Sequence, residues 1–465
     1  MEFINRETEL AFLEGCWREE SAGLVVLWGK RRVGKTELVK RFVEGKPHIY
    51  FLAETTGPKE QLLRFSRAVG RFFSEPLLET RGFTDWEEIF VYLRKKNRRI
   101  VLAVDEFPYL IQSNPAAPSL FQKGWDEHLS KSPVCLVLLG SSIAMMENEV
   151  LGRRSPLFGR RTGQWRVDPM SFRAASGFRK GSSFEDRLSH YAVAGGIPAY
   201  WLQFDRRSDI WRNIEERVLS KGRFLYDEVE FLLREELREP RYYFALLQAV
   251  AQGRRKLSEI VNATGLAQAA ANKYLGVLAD LKIVERETPV TEERPLKSKK
   301  GLYRIVDNFV HFWFKFVFPR RADLELGKTG DVLRDIRRDW AGCAAPVYEQ
   351  VAREILMENE DRFFRFDAVG RWWDKGEEID LVALNRETKQ ALLVEVKWSE
   401  RPVGLDIYEG LKAKAGKVRK TLGTWGGEAD LRFCLFGKKG FTEAVMRKAA
   451  EEGVALFTGE GDLQA

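Results

Sequence analysis

The sequence predicts a multidomain α/β protein whose first domain is a parallel sheet of the P-loop NTPase class. Three observations carry this. Gly29-Lys30-Arg31-Arg32-Val33-Gly34-Lys35-Thr36 fits the phosphate-binding pattern G-x-x-x-x-G-K-[ST] at every fixed position. The apolar run Gly23–Trp28 precedes it as a buried strand, and Glu37–Val43 follows as a helix. A second apolar run over 99–106 ends in Asp105 and Glu106, the Walker B arrangement.

Each part has a chemical reason. The glycines let backbone N–H groups turn inward on a polyphosphate, and the helix N-terminus adds positive potential. Lys35 would reach the β- and γ-phosphates, and the Thr36 hydroxyl would bind Mg²⁺ with Asp105. Glu106 would orient or deprotonate the attacking water. The candidate nucleotide ligands are therefore Gly29, Arg32, Val33, Gly34, Lys35, Thr36 and Glu37, with ATP and Mg²⁺ as the expected cofactors. A third apolar strand, Val134–Gly140, ends in Ser141-Ser142. These serines are read either as γ-phosphate sensors or as an ordinary cap for a helix starting at Ile143.

A chain of 465 residues exceeds one core, so two to four domains are expected. No apolar run reaches membrane-spanning length, and the first residues carry no secretory pattern. The four cysteines, Cys16, Cys135, Cys343 and Cys434, have no metal-ligand spacing, and Cys135 and Cys434 sit in apolar strands as small buried hydrophobes. The expectation is a soluble cytoplasmic protein without a membrane partner. The net charge of +8 permits contact with nucleic acid without demanding it.

Alternating strands and helices extend to about residue 170, and 171–235 turns helical around Gly195-Gly196-Ile197-Pro198. Residues 236–305 read as a winged helix, with helices at 242–251, 257–261 and 268–281 and wing strands at 283–286 and 302–305. Arg254, Arg255 and Lys256, with Lys297, Lys299 and Lys300 in the wing, are read either as contacts to phosphates or as ordinary solvated surface. An aromatic stretch within 306–340 is too short for a bilayer and packs between domains, with His311 as a structural residue. A second α/β pattern occupies 341–465.

In that last domain, Asp380 starts one apolar strand, and Glu395 and Lys397 end its partner across the turn 385–388. Strand alternation puts Glu395 and Lys397 on one face. Asp380 and Glu395 could hold Mg²⁺ while Lys397 orients the water or stabilises a pentavalent phosphate, and Glu349 could add a carboxylate. The competing reading is a solvated charged hairpin. The flanking apolar stretches favour buried strands, where charges need a reason.

With both constellations present, the chain resembles the archaeal ATPase family of P-loop proteins, a branch of the STAND group of AAA-related ATPases. The resemblance rests on Phe3–Leu10, Gly29–Thr36, Val104–Phe107, Ser155–Arg161 and Gly195–Pro198. The tail resembles the family's C-terminal domain of unknown function, which looks like a restriction-endonuclease fold. The resemblance implies that Arg6-Glu7 and Pro198 flank the adenine. It also implies that Arg160 or Arg161 senses the γ-phosphate, that 171–235 is a helical lid, and that Asp380, Glu395 and Lys397 match the nuclease pattern. The expected function is an Mg²⁺-dependent ATP-hydrolysing switch acting on nucleic acid through the winged helix and the nuclease-like tail. The rival is a signalling or assembly ATPase with a non-catalytic tail. Beyond ATP and ADP, the partners the sequence allows are DNA and further copies of the chain.

Overall fold

The computed structural model describes residues 3–237, 239–459 and 461–463; the outermost domain bounds, Met1 and Ala465, lie outside them. The chain divides into two compact units, Met1–Met170 with Ile197–Ala199, and Ser171–Gly196 with Tyr200–Ala465.

The first unit is built on five parallel strands, β1 (Gly23–Trp28), β2 (His48–Leu52), β3 (Ile100–Asp105), β4 (Val134–Gly140) and β5 (Gly163–Arg166), in the order β2-β3-β4-β1-β5. The continuous apolar runs of β1, β3 and β4 suit strands covered on both faces, and nearly every residue in them is buried. Central placement of β1 beside β4, and β4 beside β3, brings the C-terminal ends of all three together. That edge is where open α/β sheets present ligand sites.

In the second unit, helices at Pro240–Ala251, Leu257–Thr264 and Gln268–Asp280 precede an antiparallel hairpin of β6 (Val284–Glu287) and β7 (Leu302–Ile305). Leu275 and Leu278 are buried on the third helix, as its apolar face requires. The aromatic stretch forms a helix over Asn308–Phe312 that continues in wider turns to Val317, with Phe309, Phe312, Trp313 and Phe314 fully buried. Trp313 Nε1 donates to the Tyr226 carbonyl at 3.0 Å, so its polar edge is satisfied. No helix among the described residues is long and apolar enough to cross a membrane.

The C-terminal sheet is mixed. Its strands are β8 (Ala368–Asp374), β9 (Glu377–Asn385), β10 (Gln390–Lys397), β11 (Asp430–Gly437), β12 (Ala455–Thr458) and β13 (Asp462–Leu463), in the order β13-β12-β11-β10-β9-β8. β10 pairs antiparallel with β9 and parallel with β11. Ile379, Val382, Leu384, Leu393 and Leu435 pack against Tyr408, Leu411 and Val418 of the helix Leu405–Thr421. The pairing of β8 with β9 shifts register between Gly370 and Trp372, so that Asp380 and Leu381 together oppose Arg371. Such a bulge bends a strand and re-aims its side chains.

Candidate functional site

The phosphate loop is shaped by its backbone. A Cβ on Gly29 would sit 2.2 Å from the Val167 carbonyl oxygen, so no other residue fits without moving that chain. Gly34 has φ 98° and Arg32 φ 64°, both in the left-handed region. Gly29→Ala should therefore distort the loop and weaken nucleotide binding by at least about tenfold, a strain near the 1.4 kcal/mol that a tenfold loss represents. Equilibrium titration with a fluorescent ATP analogue measures it. Lys35 is buried, and its ammonium donates to the Gly29 and Lys30 carbonyls at 2.9 Å each.

Asp105 ends β3 and is buried. Its Oδ2 accepts from Thr36 Oγ1 at 2.7 Å and from the Tyr50 hydroxyl at 2.5 Å, while Oδ1 accepts from the Glu106 N–H at 2.8 Å. A hydroxyl and a carboxylate held this close are a donor set that fits Mg²⁺. Burial, then the Asp105 charge, pushes the Tyr50 phenol far above its ordinary pKa, so it stays a donor. Glu106 takes φ 52°, and its Oε2 accepts from Ser141 Oγ at 2.8 Å and from the Ser141 N–H at 3.3 Å. Ser141 thus holds the Glu106 carboxylate, and Ser142 makes no side-chain cap bond to the helix after it.

Arg6 is buried at a left-handed position and donates to the carbonyls of Val33 at 3.0 Å and Asp168 at 2.9 Å, which ties the N-terminal motif to the loop. Pro198 lies on the loop's flank, where a Cβ on Gly34 would come within 3.9 Å of its Cγ. Val33 is fully buried, and exposed Glu37 pairs with Lys40 at 2.9 Å. Arg160 does not face the loop as an open cation. Its Nε binds both Asp126 oxygens at 2.8 and 2.9 Å, and its Nη1 donates to Pro156 O at 2.8 Å. Arg161 donates to the Leu151 carbonyl at 3.2 Å.

The second constellation converges. Lys397 Nζ lies 2.7 Å from Glu395 Oε1 and 3.5 Å from Asp380 Oδ2. Asp380 Oδ2 also accepts from the Val396 N–H at 2.8 Å. Burial works against the Lys397 charge, but Asp380 and Glu395 outweigh it and raise its pKa. Burial and the nearby Asp380 raise Glu395. Glu395 Oε2 is buried and accepts no hydrogen bond, with Lys414 Nζ 3.6 Å away. An orphaned carboxylate oxygen of this kind fits a divalent cation as the missing partner. Glu349, on the helix Ala341–Glu358, faces Arg371 Nη1 at 3.8 Å, outside the hydrogen-bonded group of Asp380, Glu395 and Lys397. Burial pushes its carboxyl up to about 7, aided by Asp380 and opposed by Arg371.

The basic residues of the winged helix do not all face outward. Arg255 turns inward to Glu287 at 2.6 Å, and burial lowers its pKa. Lys300 is held by Glu292 and Asp374 at 3.1 Å each. The expected phosphate contacts at these two positions are thus already occupied by carboxylates. Arg254, Lys256, Lys297 and Lys299 are exposed.

Three residues escaped the sequence reading. Tyr50 meets Asp105 only because β2 lies beside β3, Lys414 comes from a helix with many lysines, and Arg371 lies opposite the bulge.

Comparison with known proteins shows the family to which the chain belongs. Residues 3–204 match a family described as an ATPase domain predominantly from Archaea, and residues 313–414 match DUF234, described as archaeal and bacterial proteins of unknown function. An uncharacterized protein of Methanocaldococcus jannaschii is 37% identical over 435 residues, covering 89% of this chain and 95% of its own. An uncharacterized ATP-binding protein of the same organism is 57% identical over 44 residues, 10% of this chain and 75% of its own. Among solved structures, a Walker-type ATPase of Pyrococcus abyssi superposes with a TM-score of 0.51 at 20% identity, covering 67% of this chain and 96% of its own, a likeness of fold. The phosphate loop, its Walker B partner and the full-length relative together place this chain in the archaeal ATPase family, with its P-loop ATPase domain followed by a DUF234 domain.

Proposed function

We propose that this chain is an Mg²⁺-dependent ATP-hydrolysing switch that acts on nucleic acid, with a winged helix over 236–305 as the binding module and a restriction-endonuclease-like site at Asp380, Glu395 and Lys397. The observation that carries the ATP part is the Thr36–Asp105 contact at 2.7 Å beside a Glu106 carboxylate held by Ser141. When bound, Mg²⁺ would offset charge on the phosphates from a seat at Thr36 and Asp105. Lys35 would give up the two loop carbonyls for phosphate oxygens. Glu106, fixed by Ser141, would orient the water and take its proton. Arg6 and Pro198 would flank the base, and residues 171–235 would serve as the lid. Arg160 or Arg161 would reach the γ-phosphate only after leaving its present partners. Lys35→Ala should abolish Mg-ATP binding, as read by equilibrium dialysis; retained affinity would contradict the assignment.

In the tail, Asp380 and Glu395 would hold a metal ion, and Lys397 would stabilise the charged phosphate. The orphaned Glu395 Oε2 supports this role. A second reading, a non-catalytic binding tail, is favoured by the two lysines that already surround Glu395. A nuclease assay on single- and double-stranded DNA, with and without Mg²⁺ and ATP, separates the two.

For the winged helix, changing Lys297 and Lys299 to Ala should flatten the log–log salt dependence of DNA binding by about 0.9 per lost phosphate contact. Fluorescence anisotropy across a salt series reads the slope. An unchanged slope means that the wing does not touch the backbone.

Glu349 gives a pH prediction for the metal-free protein. Its folded pKa, about 7, lies above the ordinary 4.5, so the folded state binds the proton more tightly. Its contribution is most favourable below the unfolded pKa and is lost as pH rises through the folded value. The stability of Glu349→Gln relative to wild type should therefore rise between pH 4.5 and 7. Urea denaturation in EDTA across that range measures it, and a flat difference would rule out the buried acid.

A further inference from the structure

The second unit contains a cavity of about 640 Å³ between the β6–β7 hairpin, the aromatic helix and the helix Ala341–Glu358. Its volume falls in the range of small-ligand sites. Its lining carries seven lysine and arginine side chains against four carboxylates. Five of these cations are already paired: Arg255 with Glu287, Arg304 with Glu285 and Glu287, Arg320 with Asp323 and Asp335, Arg338 with Asp335 and Asp339, and Arg371 with Glu349 and Glu378. Two are not. Among the described residues, Lys315 and Arg353 have no ion-pair partner, and both line the cavity. Lys315 is half-buried with its ammonium 5.3 Å from the Phe316 ring, and Arg353 is exposed at the rim.

A half-buried ammonium without a counterion is costly unless something supplies the charge. His311 lines the same space. Burial pushes its pKa down to about 4, and the charged neighbours that lower it further are Lys315, Arg255 and Arg304. The imidazole thus stays neutral among three cations at neutral pH and can donate one hydrogen bond to an oxyanion. The lining also carries the apolar side chains of Ile305, Phe316, Val347 and Leu381, with the Phe316 ring next to the Lys315 ammonium. Cationic side chains beside apolar ones are the complement of a phosphate joined to a base.

We propose that this cavity is a second ligand site, distinct from the P-loop, that binds a nucleoside monophosphate unit with its phosphate at Lys315, Arg353 and His311 and its base against Phe316 and Val347. The unit comes either from a free mononucleotide or from the phosphorylated end of a single strand. The site is independent of the ATP-hydrolysis and nuclease readings, because none of its residues belongs to those clusters.

The test uses the full-length Lys35→Ala chain, in which the P-loop no longer contributes. AMP, CMP, GMP and UMP are titrated calorimetrically, each beside its nucleoside and beside a single-stranded tetranucleotide with a 5′-phosphate. At least one mononucleotide should bind saturably, one per chain, with Kd below about 1 mM. Its nucleoside should bind at least about tenfold more weakly, since charge-assisted contacts to the phosphate are the strong ones. Lys315→Gln with Arg353→Gln should remove that difference, and the single variants read each cation separately if the double variant does not fold. Tighter binding of the tetranucleotide assigns the site to a strand end, and weaker binding assigns it to the free nucleotide. No saturable binding at that concentration, equal binding of nucleoside and nucleotide, or full affinity in the folded double variant overturns the proposal.

Discussion

Glu106→Gln should leave Mg-ATP bound and slow its turnover by about 10²- to 10⁴-fold, the range of a positioned general base. Glutamine keeps the length of the side chain, and its carbonyl can still accept from Ser141 Oγ, which lies 2.8 Å from the Glu106 carboxylate. Only the basicity is lost. The neighbouring contacts among Asp105, Thr36 and Tyr50 do not pass through the Glu106 side chain, so the cation seat survives. Binding is read by equilibrium titration and turnover by phosphate release on the same preparation. Wild-type turnover in this variant would remove Glu106 from the chemistry. Ser141→Ala should have a smaller effect in the same direction, because it frees the carboxylate without removing it.

On the nuclease reading, Asp380→Asn should abolish Mg²⁺-dependent cleavage of DNA, a loss of at least about 100-fold, since an under-ligated metal would lose both its position and its activated water. The fold should persist. The amide oxygen can still accept from the Val396 N–H, and the core around Val382, Leu384 and Leu393 does not involve Asp380. A thermal midpoint near that of wild type, together with lost cleavage, is the expected pair of results. Cleavage at the wild-type rate would separate Asp380 from the reaction, whereas no cleavage by the wild-type chain would favour the binding-tail reading. Glu395→Gln should behave alike, although it also strips Lys397 and Lys414 of a shared counterion, so its stability should fall further.

The parts of both sites that were legible share one property: they are local. The loop 29–36 and the carboxylates ending β3 lie in short stretches whose apolar flanks set strand and direction. The hairpin of Asp380 with Glu395 and Lys397 was legible because one turn joins its strands. What escaped depends on tertiary placement. Tyr50 is 55 residues from Asp105, and only the adjacency of β2 and β3 joins them. The bulge at Asp380–Leu381 arises from the pairing of β9 with β8, a strand that the sequence did not announce. Charge was the least reliable guide. Arg255 and Lys300 look like phosphate ligands in the chain and are instead satisfied by Glu287, Glu292 and Asp374. Residue type records that a charge exists, and only the fold records what neutralises it.

The most direct test of the central claim is ATP hydrolysis by the full-length chain as Mg²⁺ is titrated from zero, run beside Lys35→Ala and Asp105→Asn. The account predicts hydrolysis that requires Mg²⁺ and vanishes in both variants, because on the proposed reading Lys35 would hold the phosphates and Asp105 with Thr36 would seat the cation. Hydrolysis that persists without Mg²⁺, or that survives in Lys35→Ala, would contradict it.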